Sequence, residues 1–535
     1  MPNIPPAITN PICRIAQRIL RVQYYDAPWK GCLIRLFIES VTTCKPSTFA
    51  WLRCFSMQIR EWQPAIVMAF GIGWLLFLYS LTPLGITPDS VNYAHAAITL
   101  LRSGEMLRFG NTPYTTWPPL YPLLLAGLLR WISDLDTAAK ILHIGAYLLS
   151  GWWTWKIVRT YVTIPLLATA VFGWIMLGYP ITWVHMHLWT EPLFIALTLG
   201  FVRFSLHYCR TGKSASGKIA MAWAALSAIQ RYIGGMWIGW GTLWMWHCQR
   251  KHRNASRWLI QTAAVAALPL CAWILRNYEV GGTWMGGRAP ATIDIGTWTM
   301  TAAYTIGQWM IPIIKSHVLP SSLLLVGMIA LMIRAVRQSE GTSNAVERMM
   351  WATVIAYLVV VAGMSMITAV DPPRHRILAP IYPITILALG MTMTRWKPLE
   401  RRMATMILTF NVIFWQIVLL RQAQAEQIGF FNHRWWKHHW LVEWYDQHYS
   451  PTIRFFSNFP EAFFVNVPHR PPPSLGWHRN IPIKSIRHGA SDTIYLLWFN
   501  QPTPPWIYSF DLLHNSLKMR LVADSEGGSV WMLQQ

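Results

Sequence analysis

Residues 120–132 read LYPLLLAGLLRWI, and whether they cross a bilayer decides how the rest of the chain is threaded. A helix needs about 20 mainly apolar residues to span the hydrocarbon core, and this stretch is too short. It suits a re-entrant or juxtamembrane helix. On either side of it lie eleven candidate spans, centred on residues 65–82, 141–155, 162–179, 191–208, 218–230, 232–247, 258–275, 318–336, 350–370, 377–394 and 402–420. The fifth and sixth are short and share an interruption at Arg231, so they are either two spans or one long broken helix. With 53% hydrophobic and 13% charged residues in a chain of 535, the composition belongs to the membrane class. The 33 tryptophans agree, because indole is favoured where acyl chains meet headgroups.

The formal net charge of +23 does not point to nucleic acid, since a nucleic-acid domain gathers its basic residues in a continuous patch. Here they form short clusters between apolar runs. Leaving residues 120–132 out of the count and starting inside, the inner segments hold 25 of the 45 Lys and Arg and only 6 of the 22 acids. Counting that stretch as a span would put Lys156 and Arg159 outside and reverse the basic loops that follow, against the positive-inside rule. The expected location is therefore the cell (inner or plasma) membrane, multi-pass, with the C-terminal domain non-cytoplasmic. Cys13, Cys32, Cys44, Cys54, Cys209 and Cys248 fall on the inner side and Cys271 within a span, so no disulfide is expected.

Residues 1–63 form a basic cytoplasmic segment without the apolar core and cleavage site of a signal peptide; a start at Met57 is the plainer alternative to an amphipathic segment. Residues 64–420 form the transmembrane module, with a first outer loop at 83–140. In the remainder, 421–535, residues 433–448 carry Trp435, Trp436, Trp440 and Trp444 and read as an interfacial helix. Beyond them TIRFFS, DTIYLLWF, MRLVAD and SVWMLQ read as strands of a small α/β domain. The fold class is thus an all-α polytopic membrane protein of about 11 helices with a small C-terminal α/β outer domain.

Residues able to do chemistry lie on the outer side. Asp89, in GITPDSVNY, taken alone suits a helix N-cap, and Glu191, in HLWTEPLF, suits a helix-start acid. Arg231, Arg276, Arg288, Arg374 and Arg376 share that side; a boundary arginine often only snorkels, yet the guanidinium fork also matches phosphate. A transporter would show repeats and polar residues within its spans, and neither is visible.

Several segments resemble the GT-C superfamily of membrane glycosyltransferases, in particular the branch related to protein O-mannosyl and aminoarabinose transferases. They are PDSxxY with the following WPPLYPLLLAG, TEPLF, RYIG, LRNYxxxGTxxGxRxP, RxLAPIYP and, in the tail, FPEAFFV with a terminal SVWML. The resemblance covers most of residues 64–420 and implies a GT-C-like fold and a transferase using a polyprenyl-phosphate-linked sugar, with an unidentified hydroxyl acceptor and no nucleic-acid partner. It implies Asp89 as the catalytic first-loop carboxylate and Glu191 as the second-loop acid. The five arginines become donor-phosphate ligands, and Tyr93, Trp117, Pro118, Pro119 and Tyr121 the substrate loop. No cofactor is expected; the alternative, a divalent metal as in some members, would draw on His185 and His187. Ile377 stands where the usual RYLxP pattern has Tyr. A lipid-linked-glycan ligase or polymerase is the rival reading, and it lacks the acidic first loop and PPLYP.

Overall fold

The computed structural model describes residues 48–249, 255–288, 290–291, 293–312, 327, 330, 342–475, 493–502 and 507–534. The chain divides into a unit of residues 1–66, of which the start of the helix Thr48–Leu81 is described, and a unit of residues 67–535 that holds everything below. The span expected over 318–336 lies outside the described residues.

Among the described residues seven helices are long and apolar enough to cross a membrane: Trp62–Leu81, Pro165–His185, Glu191–Thr211, Arg257–Gly281, Ala345–Ile367, His375–Met393 and Pro398–Gln424. The stretches 141–155, 218–230 and 232–247 are also helical, as Leu135–Tyr161, Ser214–Gln230 and Gly235–Gln249, but are shorter or more polar than these seven. The last two form a helical hairpin around the three-residue 3-10 turn Tyr232–Gly234, not one broken helix. Extended backbone at Arg231 ends the first, and a Cβ at Gly234 would strike the Ser227 carbonyl, so the turn closes only on glycine.

The decisive stretch is a helix at Leu120–Leu129, ten residues and about 15 Å long, half of what a bilayer core requires. It packs against the first-loop helix Pro88–Ser103 through Tyr121 and Tyr93, whose rings lie 5.7 Å apart. A helix not anticipated from the sequence runs over Ile295–Gln308; Asp294 caps it by accepting from the Thr297 N–H at 2.9 Å.

All four strand-like tail segments are strands, and with Ser474–Leu475 they make a five-stranded sheet. Its order is Ser474–Leu475, Ile453–Ser457, Thr493–Phe499, Gly528–Leu533, Met519–Ser525, with the first three parallel and the last two antiparallel to their neighbours. The expected interfacial helix is instead two short helices, Arg434–Lys437 and Trp440–His448. Trp436 is buried with its ring 4.9 Å from Phe499 and 5.1 Å from Phe459. The pattern of aromatic residues that suits a membrane surface here supplies the core of the small domain.

This domain sits on the same end of the bundle as the first loop. Phe464 of the helix Pro460–Asn466 meets Phe109 at 5.5 Å, and the N–H groups of Phe430 and Phe431 both donate to the Ile86 carbonyl. At the other end of the bundle the structure joins Cys209 to Cys248, against the expectation of unpaired thiols. The helices Glu191–Thr211 and Gly235–Gln249 run side by side and bring these residues to a Cα separation of 5.2 Å, a proximity their 39-residue separation does not reveal.

Candidate active site

Asp89 is placed by three segments that cross at residues 84–87. The Gly85 N–H donates to Met186 O at 2.8 Å, and the Leu188 N–H donates back to Gly85 O at 3.0 Å, tying the first loop to the segment just before Glu191. Asn432 grips the same place from the start of the tail, its Oδ1 accepting from the Ile86 N–H at 3.0 Å and its Nδ2 donating to Leu84 O at 2.8 Å. A Cβ on Gly85 would lie 2.5 Å from His187 Cδ2 and 2.8 Å from Gly429 Cα, so the crossing needs glycine.

Thr87, not Asp89, is the N-cap of the helix Pro88–Ser103; the Trp189 indole donates to its Oγ1 at 2.9 Å, and proline occupies the first helical position. Asp89 is the second helical residue, free of capping duty. Glu191 opens the helix Glu191–Thr211 and is fully buried.

Two guanidiniums hold these acids together. Arg376 donates through Nη2 to Asp89 Oδ2 at 2.6 Å, through Nε to Glu191 Oε1 at 2.8 Å and through Nη1 to Asp371 Oδ2 at 2.9 Å. Its guanidinium carbon lies 4.6 Å from the centre of the Trp189 ring, a cation–π contact. Arg231 pairs with the same Glu191 Oε1 and donates to Thr190 Oγ1 at 2.8 Å. Asp371 carries no role in the sequence reading. Its signal is that it is the acid of the DPPRHR segment, on the side already assigned to Asp89 and Glu191.

A cavity of about 830 Å³ opens over this network. Asp89, Tyr93, Trp117, Pro118, Arg231, Arg288, Asp371 and Arg376 line its polar part; Tyr357, Val361, Met364, Val370 and Ile377 give it an apolar wall. Burial pushes the Tyr93 phenol up and the Arg288 guanidinium down. Glu461, from the small C-terminal domain, also lines the cavity, and burial pushes its carboxyl up to about 7.

Four expected site residues stand elsewhere. Arg276 donates to Tyr114 O at 2.7 Å and stacks on Trp273, and it is outside the cavity lining. With Asn277 and Tyr232, which donate to Thr115 O at 3.2 and 2.9 Å, it clamps the loop that carries Trp117. Arg288 shares this work, donating to Thr116 O at 3.2 Å, but faces the cavity as well. Arg374, on extended backbone, is the N-cap residue of the short helix His375–Leu378, and it is exposed and outside the cavity lining. Pro119 and Tyr121 lie behind the wall; the Tyr121 hydroxyl lies 3.0 Å from His143 Nε2.

His185 and His187, the residues of the metal alternative, hold the carbonyls of Ile181 and Trp183 through Nδ1 at 2.7 and 2.9 Å, a hydrogen bond that a metal-ligating imidazole also makes and that leaves Nε2 as the ligand nitrogen. Between Asp89 and Glu191 lies the Arg376 guanidinium. Among the described residues no group of three or more His, Cys, Asp and Glu side chains is placed to hold a metal ion.

No family model and no curated protein matches the sequence. The structure is similar to the crystal structure of ArnT from Cupriavidus metallidurans in the apo state, with a TM-score of 0.61 and 11% identity over 88% of this chain and 97% of that one. It is similar also to ArnT from the same organism bound to undecaprenyl phosphate, with a TM-score of 0.59 and 12% identity over the same shares of the two chains. The chain thus shares its fold with these two ArnT structures.

Proposed function

We propose that this protein transfers a sugar from a polyprenyl-phosphate donor to a hydroxyl-bearing acceptor, with inversion, on the non-cytoplasmic face of the membrane. The observation that carries the reading is one cavity in which three carboxylates, four arginines and an apolar wall converge. Each part answers a need of the reaction. The acceptor hydroxyl must lose its proton as its oxygen attacks the anomeric carbon, and Asp89 is the cavity carboxylate suited to take it. Its Oδ2 holds Arg376, while its Oδ1 has no hydrogen-bond partner among the described residues.

In one displacement the new bond from the anomeric carbon to the acceptor oxygen forms as the bond to the phosphate oxygen breaks. The leaving group is the polyprenyl phosphate, whose gathering charge calls for fixed cations rather than an acid, and Arg288 and Arg376 are the candidates. The apolar wall from the helix Thr342–Ile367 suits the first isoprene units. Glu191, buried and shared by Arg231 and Arg376, positions both guanidiniums rather than touching substrate. Arg376 supplies positive charge beside the acids. ArnT has been seen with undecaprenyl phosphate, which makes that lipid the first to try here.

The test is transfer by purified protein offered a panel of polyprenyl-phosphate sugars, with a membrane glycolipid extract as acceptor pool. Asp89→Asn keeps the shape of the site and is expected to lower the rate by about 10²–10⁴, the range for a general base. No turnover on any donor, or full turnover by the variant, overturns the reading.

A further inference from the structure

Each nitrogen of the Arg376 guanidinium already donates to a carboxylate, so a phosphate that binds Arg376 competes with those three carboxylates for its charge. The three carboxylates are held very differently. Glu191 has no exposure, begins a long helix and is gripped by a second guanidinium. Asp89 is 29% exposed and sits in the first turn of a capped helix whose entry is stitched to two other segments. The Asp371 side chain is 59% exposed, lies on non-helical backbone between the helices Thr342–Ile367 and His375–Leu378, and has Arg376 as its single side-chain partner among the described residues.

We propose that Asp371 is an internal stand-in for the donor phosphate, holding Arg376 Nη1 until the lipid arrives and giving up that position to it. The inference rests on the donor reading above and names the exchange by which the site accepts the lipid. Carboxylate and phosphate compete for the same guanidinium fork. An exposed ion pair contributes little, so Asp371 is the cheapest of the three to displace. The charge balance points the same way. Arg231, Arg288 and Arg376 are matched by Asp89, Glu191 and Asp371, so this cluster of six side chains is balanced as it stands, with Arg108 and Glu461 also on the cavity lining. Turning Asp371 out leaves one positive charge, the complement of a sugar-phosphate diester. Asp371 is then a determinant of donor affinity, and it acts against binding.

That sign separates the proposal from a structural role. If Asp371 only steadied Arg376, removing its charge would weaken lipid binding. If it competes, Asp371→Asn and Asp371→Ala both bind undecaprenyl phosphate more tightly than the wild type, by about three- to fivefold, the scale of one exposed ion pair. The measurement is the Kd for undecaprenyl phosphate in detergent micelles from tryptophan fluorescence, with Arg376→Ala as a third variant and lipid-free thermal unfolding as a check on folding. Unchanged or weaker binding by both Asp371 variants, while Arg376→Ala loses affinity, overturns this inference and leaves the donor reading standing. A wild type that does not bind the lipid, or an Arg376→Ala variant that binds it equally well, overturns the donor reading and this inference with it.

Discussion

Glu191→Gln is the substitution whose consequence the structure bounds most closely. Glutamine keeps the size of the side chain and an acceptor oxygen, so what disappears is one negative charge at a position without solvent exposure. That charge serves two guanidiniums through Oε1. Arg376 would keep Asp89 and Asp371, whereas Arg231 would keep only the Thr190 hydroxyl among the side-chain partners shown. Removing one member of a buried pair typically costs about 3–5 kcal/mol, because the survivor remains desolvated and unmatched. Both arginines border the cavity and can draw water from it, which puts the expected loss at the low end, about 3 kcal/mol. Against a total stability on the order of 5–15 kcal/mol this is a large share. Pairing the change with Arg231→Met isolates the interaction. Because the double variant leaves no orphan charge at Arg231, it should be about 2 kcal/mol more stable than the sum of the single changes implies. Equilibrium unfolding in mixed detergent micelles, followed by tryptophan fluorescence, reads all four proteins. An undiminished stability in Glu191→Gln, or strict additivity in the double variant, refutes the view that Glu191 anchors this network.

Two further outcomes follow from residues around the cavity. Burial holds the Glu461 carboxyl up at about 7, so between the ordinary carboxylate range and that value the folded state binds the proton that the unfolded chain has released. This residue's contribution is therefore fully present at acid pH, declines as pH rises toward about 7 and is constant above. Thermal unfolding across that range should show the slope in the wild type and a flatter line in Glu461→Gln. Gly286 has a φ of +78°, and a Cβ there would lie 2.6 Å from Thr116 Oγ1 and 2.7 Å from its Cα, whereas a Cβ on Gly287 meets nothing within 4 Å. Gly286→Ala should lose about 1–2 kcal/mol from the left-handed backbone alone and disturb the loop that carries Trp117, with Gly287→Ala as a near-silent control in the same unfolding assay.

What the sequence reveals and what it conceals divide along a physical line. Apolar runs long enough for a bilayer, the brevity of residues 120–132 and the tail strands are local properties, and seven of the eleven runs, the short helix and the four strands are found where the pattern places them. The residues of PDSxxY, TEPLF and RxLAPIYP meet around one cavity because those segments begin helices at the same end of the bundle. Roles within the cluster depend on which side chains face each other across the chain, and there residue type misleads. Arg276, Arg288 and Arg374 look equivalent by charge, yet one clamps a loop carbonyl, one reaches both loop and cavity, and one is exposed outside the cavity lining. The tryptophans of 433–448 have the composition of a membrane surface, but the sheet behind them offers Phe459 and Phe499 as partners, and burial there satisfies the same apolar surface. Asp371 is the sharpest case. In a segment dominated by arginine and histidine a lone acid reads as local neutralisation. Only the fold shows that the guanidinium five residues on, besides pairing with it, joins Asp89 and Glu191, which lie 287 and 185 residues away in sequence. An arginine that looked like a phosphate ligand is thereby already held by three carboxylates, and the functional question shifts from which residues bind the donor to which carboxylate gives way to it.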